Sequence, residues 1–188
     1  IQCDSTEIIL TSGATESNNI ALSSIIKLKE KKHIITLSTE HKAILDICDS
    51  LKKKNIKITY LKPNRNGILD ISKIKSYITD ETSIISIMHA NNEIGVIQPI
   101  QKIGEICKQN NILFHVDAAQ SLGKIPINVK KMSIDLLSIS AHKIYGPKGA
   151  GALYVNNSYF SKMSPLMFGG NQERNLRPGT IPTPLIVG

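Results

Sequence analysis

A hydroxyl, an imidazole and an amine stand almost side by side in Ser140-Ala141-His142-Lys143. A mostly apolar run, Ile134 to Ile139, leads into them, and Gly146-Pro147-Lys148-Gly149-Ala150-Gly151 follows at once. The three groups are therefore expected at the tip of a buried strand, inside a constrained loop. A protonated lysine is strongly hydrated and a poor nucleophile. Burial or a nearby positive charge lowers its pKa and frees the amine to form a Schiff base with a carbonyl. Most lysines are only solvated surface charges, and this chain has 23 Lys plus Arg. Lys143 gains chemical meaning only if other reactive groups converge on it.

Those groups have to come from other elements. Glu7 to Thr11 reads as a short strand, Ser12-Gly13-Ala14-Thr15 as a turn, and about Glu16 to Lys31 as a helix. Small residues before a helix leave backbone N–H groups free, and the helix dipole adds positive potential, which suits a phosphate. An ordinary cap by Thr15 or Ser17 accounts for the same residues. His33 to Leu37 is the next strand, followed by Thr39-Glu40-His41 and a helix. In that helix Ile44, Ile47, Cys48 and Leu51 recur on one face, which makes Cys48 a core residue. His41 stands at the helix start, where its ring can face a ligand.

Ile56 to Leu61 continues as a strand, Ile71 to Ile78 as a short amphipathic helix, and Ser83 to Met88 as an apolar strand ending in His89-Ala90-Asn91-Asn92. Pro99 opens another helix. Ile112 to Val116 is a strand, and Asp117-Ala118-Ala119-Gln120 follows it. A carboxylate at the end of an apolar strand is costly without a donor or a cation beside it. Asp117 is then either a turn or cap residue or the partner of a protonated ring nitrogen. Gly151 to Val155 is the last strand.

Strands alternating with helices predict an α/β fold: three layers, a mostly parallel sheet flanked by helices. In such sheets ligands bind beyond the carboxyl ends of the strands. Asn91-Asn92, Asp117 with Gln120, and Ser140 with His142 and Lys143 each follow a strand directly, so they gather at one edge. An amine, a carboxylate and a phosphate cradle together suit pyridoxal 5′-phosphate, held by Lys143. Beyond Val155 the pattern weakens into loops. Arg174, Arg177 and Thr180 there suit an anion or simply a solvated connection.

Composition narrows the other possibilities. The formal charge is +8, but the lysines are scattered, aromatics are 4% and there is no Trp, so a base-stacking surface and direct nucleic-acid binding are not expected. The competing reading from another class is a basic phosphate- or nucleic-acid-binding module, which predicts salt-sensitive RNA binding and no carbonyl cofactor. Cys3, Cys48 and Cys107 have neither metal-ligand spacing nor an even count, which points to a reducing compartment and no metal. No apolar run approaches a membrane span. The chain starts without Met and ends inside the apolar run Leu185-Ile186-Val187, and we read it as an internal piece.

With these segments in view, the chain resembles the cysteine desulfurases of the NifS/IscS type, among the class-V, fold-type I pyridoxal-phosphate enzymes. The resemblance rests on TSGATESNN (Thr11 to Asn19), TEHKAILD (Thr39 to Asp46), MHANNEIGVIQPI (Met88 to Ile100), HVDAAQSLGK (His115 to Lys124), SAHKIYGPKGAGALYV (Ser140 to Val155) and RPGT (Arg177 to Thr180). Ala141, Asn171 and Pro178 stand where members often carry other residues.

The resemblance implies a role for each position. Lys143 would hold the cofactor covalently and Asp117 would pair with its ring nitrogen. His41 would stack on the ring and assist proton transfer. Asn92 and Gln120 would bond the ring's phenolic oxygen. Ala14, Thr15, Ser140 and His142 would cradle the phosphate, with Thr180 reaching that of a partner subunit in a homodimer. The implied reaction takes L-cysteine to L-alanine and delivers persulfide sulfur to an iron–sulfur scaffold protein, tRNA thiolation and other acceptors. The close alternatives are a selenocysteine lyase and a small-amino-acid aminotransferase. On this reading residues 1–160 are most of the cofactor-binding large domain, and 161–188 are loops leading toward a further part. The sulfur-accepting cysteine and the substrate-carboxylate arginine would lie beyond Gly188. The compartment would be the cytoplasm, or a mitochondrion or plastid in a eukaryote.

Overall fold

The structure, a computed structural model, describes residues 1–26 and 32–187. Its strands are β1 (Ile8–Thr11), β2 (His33–Leu37), β3 (Lys57–Leu61), β4 (Thr82–Met88), β5 (Leu113–Asp117), β6 (Leu136–Ser140) and β7 (Gly151–Val155). The helices are α1 (Ala14–Ile26), α2 (Lys42–Lys52), α3 (Ile71–Tyr77), α4 (Ile100–Gln109) and α5 (Thr183–Val187). The strands form one sheet in the order β1-β7-β6-β5-β4-β2-β3. Neighbours from β6 through β5, β4 and β2 to β3 pair in parallel, while β7 runs antiparallel to both β1 and β6. Among the described residues, β7 alone opposes the sheet direction.

Both faces are covered, which is why the inner strands read as nearly continuous apolar runs. Successive strand residues point to opposite faces. Ile34, Ile84, Leu113 and Leu136 pack with Ile20, Ala21, Ile44, Ile47 and Leu51 of α1 and α2. Ile35, Ile85, Phe114 and Leu137 pack with Ile74, Ile100, Ile103 and Ile106 of α3 and α4. Helix α4 approaches its neighbour closely at Gly104, where an added Cβ would lie 1.9 Å from the Met132 carbonyl oxygen. Cys48 and Cys107 are buried in these cores, and burial pushes the Cys48 thiol up to about 12.

Most strand boundaries shift by a single residue from the sequence reading, as in β5, which ends at Asp117 rather than Val116; three differences matter more. The strand expected over Ile134 to Ile139 starts two residues later and ends one residue later, so Ser140 is its last residue. Helix α1 already begins at Ala14, and its expected continuation to Lys31 lies outside the described residues. After Val155 the chain is not all loop. It winds into 3-10 turns at Asn157–Lys162 and Gln172–Asn175 and buries Met163 and Leu176 against the α1 and α2 core. The parallel strands all end at one edge, at Thr11, Leu37, Leu61, Met88, Asp117 and Ser140, and β7 starts there at Gly151.

Candidate active site at the carboxyl edge of the sheet

A cavity of about 440 Å³ opens at this edge. Ala14, Thr15, His41, Asn92, Asp117, Gln120, Ser140, His142 and Lys143 all line it. Thr180 does not; it is exposed, outside the cavity of its own chain. Asp117 and Ser140, delivered by buried strands, form the floor, whereas His41, Asn92, His142 and Lys143 stand exposed around the rim.

Asp117 is the most constrained of these groups. Its Oδ2 accepts from Asn18 Nδ2 at 2.8 Å and its Oδ1 from the Ala119 N–H at 2.9 Å. The His89 N–H holds its main-chain oxygen at 2.9 Å. Burial pushes its carboxyl above the usual range, and the bonds from Ala119 and Asn18 only partly offset this. Among the described residues no Lys, Arg or His forms an ion pair with it. Asn18 went unremarked in the sequence. It lies on the inward stripe of α1 with Ser17, Ala21 and Leu22, all buried, and a polar side chain on such a stripe was the available signal. Its Oδ1 is buried without a partner.

The turn Ser12-Gly13 and the start of α1 form the opposite wall. Gly13 accepts the first helical bond from the Ser17 N–H at 3.1 Å, so the amides of Ala14 and Thr15 belong to a first turn that has no intrahelical acceptors. Gly13 has φ +150°, and β7 presses against it: a Cβ on Gly151 would lie 2.4 Å from the Gly13 Cα. Ser140 Oγ and His142 Nδ1 are 3.0 Å apart on the adjoining wall.

His41 caps α2. Its Nδ1 accepts from the Ala43 N–H at 3.1 Å, which leaves Nε2 to carry the proton of the neutral ring. The turn before it is tied to the end of β4. Asn91 Nδ2 donates to the Thr39 carbonyl at 2.8 Å, and the Met88 N–H donates to Glu40 Oε1 at 2.8 Å. Glu40 is itself buried, and burial raises its carboxyl well above the usual range.

Lys143 lies in the 3-10 turn Ala141–Ile144, which ends at Tyr145 with φ +66°. Lys143 is exposed in this turn, just past the end of β6. Lys148 lines the same cavity. None of the three cysteines lines it.

A mostly parallel sheet with a lysine, a buried carboxylate and a helix N-terminus around one carboxyl-edge cavity has the architecture of the fold-type I pyridoxal-phosphate-dependent transferases. The chain belongs to the class-V aminotransferase family, whose model matches residues 1–186. It is 57% identical over 190 residues to the cysteine desulfurase IscS of Rickettsia prowazekii (strain Madrid E), and 55% to that of Rickettsia felis. Each match takes in all of this chain and 46% of the relative, so the chain spans about half the length of these proteins. Among solved structures, SspA in complex with cysteine matches at TM-score 0.92 and 48% identity, over 97% of this chain and 53% of that one. A NifS-like protein matches at TM-score 0.92 and 41% identity, over 97% and 50%.

The family's cofactor is pyridoxal 5′-phosphate, and the residues present fit it. A buried carboxylate without a cation suits a protonated ring nitrogen. The first-turn amides of α1, with Ser140 and His142, suit a phosphate, and Lys143 suits the aldehyde.

Proposed function

We propose that the protein carrying this chain is a pyridoxal-phosphate-dependent cysteine desulfurase that converts L-cysteine to L-alanine. The observation that carries this reading is the buried Asp117 carboxylate, which forms no ion pair among the described residues and lines the cavity that Lys143 borders. When bound, the cofactor supplies an aldehyde and a cationic ring that accepts electron density from the substrate. The chain's residues do the rest. Asp117, anchored by Asn18 and the Ala119 N–H, holds the proton on the ring nitrogen. Lys143 supplies the amine that retains the cofactor. His41, with Nδ1 occupied, keeps Nε2 to stack and move a proton. Asn92 and Gln120 orient the ring through its phenolic oxygen. Ala14, Thr15, Ser140 and His142 hold the phosphate, and Thr180 reaches that of a second copy in a homodimer.

The SspA complex with cysteine supports L-cysteine as substrate. Sulfur would pass as a persulfide to an iron–sulfur scaffold protein, to tRNA thiolation and to other acceptors. None of Cys3, Cys48 and Cys107 lines the cavity, so none of them is proposed as the accepting cysteine. Three free thiols favour a reducing compartment, the cytoplasm. Among the described residues no helix is long and apolar enough to cross a membrane.

Borohydride treatment of the intact protein should fix the cofactor to the peptide containing Lys143, and Lys143→Ala should lose that label entirely. A label on Lys148 or Lys124 overturns the assignment. An intact label without alanine release from L-cysteine retains the cofactor and removes the desulfurase.

A further inference from the structure

Glu16 puts a negative charge at the end of the cavity where a helix N-terminus favours an anion. It belongs to the first turn of α1 and lines the cavity. Both oxygens of its carboxylate are hydrogen-bonded. Oε2 accepts from the Ser12 N–H at 2.6 Å and Oε1 from Arg177 Nε at 2.9 Å. The Arg177 and Glu16 side chains are only 16% and 19% exposed. Arg177 lies in an adjoining groove, not in the cavity, while Glu16 borders both, so the pair forms the wall between them. Arg177 Nη1 also leans toward the Gly179 carbonyl at 3.4 Å, and the Gly179 N–H donates to Gln172 Oε1 at 3.1 Å. The same arginine thus steadies the turn that leads to Thr180. Burial would raise the Glu16 carboxyl; the bonds from Arg177 and Ser12 more than offset this and hold it below the usual range.

We propose that Arg177 is a positioning residue for phosphate binding that acts through Glu16: it neutralises this carboxylate and keeps it turned onto the Ser12 amide. The proposal deepens the cofactor reading above and rests on it. An unpaired carboxylate at this wall repels a phosphate across a few ångströms of partly desolvated space, where charge interactions are strong. The partner's loss therefore harms anion binding through the charge it leaves behind. Removing that charge as well should restore binding, which loss of a mere structural brace would not allow.

The test is equilibrium titration of the cofactor-depleted intact protein with pyridoxal phosphate, and with pyridoxal, which lacks the phosphate. Arg177→Gln should weaken pyridoxal phosphate roughly tenfold and change pyridoxal by less than about twofold. Combining it with Glu16→Gln should bring the phosphorylated ligand back to within about threefold of the parent. Three results overturn the proposal: unchanged affinity in Arg177→Gln, equal losses for the two ligands, or a double variant no better than the single. If Arg177→Gln does not fold, Arg177→Lys keeps the charge. Retained phosphate selectivity in that variant supports the proposal, and its loss overturns it. A folded parent that binds neither ligand removes the cofactor reading itself, and this inference with it.

Discussion

The inner strands show different chemistry to their two faces. Toward α3 and α4 they present Ile35, Leu37, Ile85, Ile87, Phe114, Val116, Leu137 and Ile139, apolar up to the carboxyl edge, with the polar Ser83 at the far end of β4 bonded to the His33 carbonyl. Toward α1 and α2 they begin with Ile34, Ile84, Leu113 and Leu136, turn polar at Thr36, Ser86, His115 and Ser138, and finish with Met88, Asp117 and Ser140 at the cavity. The polar step is joined by hydrogen bonds. Thr36 Oγ1 donates to the Ser86 carbonyl at 2.8 Å, Ser86 Oγ meets His115 Nδ1 at 2.8 Å, and His115 Nε2 meets Ser138 Oγ at 3.0 Å. One face stabilises mainly by apolar burial. The other gives up apolar contact for a hydrogen-bonded platform directly beneath the floor of the site. The two-residue period of a strand lets the same segment serve both ends.

The sharpest way to separate the two faces is to empty one. Phe114→Ala should destabilise the protein by about 3–5 kcal/mol in chemical denaturation. Molecules that remain folded should still take the borohydride label at Lys143. Loss of the label from folded protein would break the contrast.

His115→Gln comes next, at about 1–3 kcal/mol, because a buried hydroxyl loses its partner. It also carries a pH signature. Burial pushes His115 down to about 3, against about 6.5 in an unfolded chain. Between these values the unfolded state binds the extra proton. The stability from the neutral ring is therefore complete above about pH 6.5 and is lost as pH falls toward 3. The advantage of the parent over the variant should shrink by up to about 1.4 kcal/mol per pH unit in that window. Burial also lowers His33 and His89, but both are common to the two proteins and cancel. A flat difference would sink the platform of neutral histidine.

Asp117→Asn should change stability least, by less than about 1 kcal/mol at neutral pH, with the variant equal or better. The desolvated charge is gone, and the unpartnered Asn18 Oδ1 can accept from the introduced amide. Burial raises the Asp117 carboxyl in the fold, so the parent's handicap at neutral pH fades as pH falls through that raised value and is gone below about 3.9. Affinity for pyridoxal phosphate should fall in the same variant. A large loss of stability with unchanged cofactor affinity would make Asp117 a structural residue.

Much of this was legible in the sequence because strand ends and chemistry coincide. Asp117, Asn92 and Lys143 each follow an apolar run, and parallel topology forces such positions together. The placement of β7 was not legible. Its residues read as a strand, but nothing local says that it enters between β1 and β6 from the opposite direction. Asn18 was hidden because a polar residue in a helix reads as outward facing unless it is checked against the buried stripe. Lys143 could be placed in a turn beyond a buried strand, but how far that turn opens to solvent depends on packing that no local pattern encodes.

That reversed strand has a mechanical outcome. Ser140 pairs with Gly151, so the ten residues between them leave the sheet and return to it at adjacent points. The segment bearing the amine is pinned at both ends like the handle of a drawer. The nitrogen sits at the end of four methylenes on that segment, so rotation about their bonds carries it without moving either anchor.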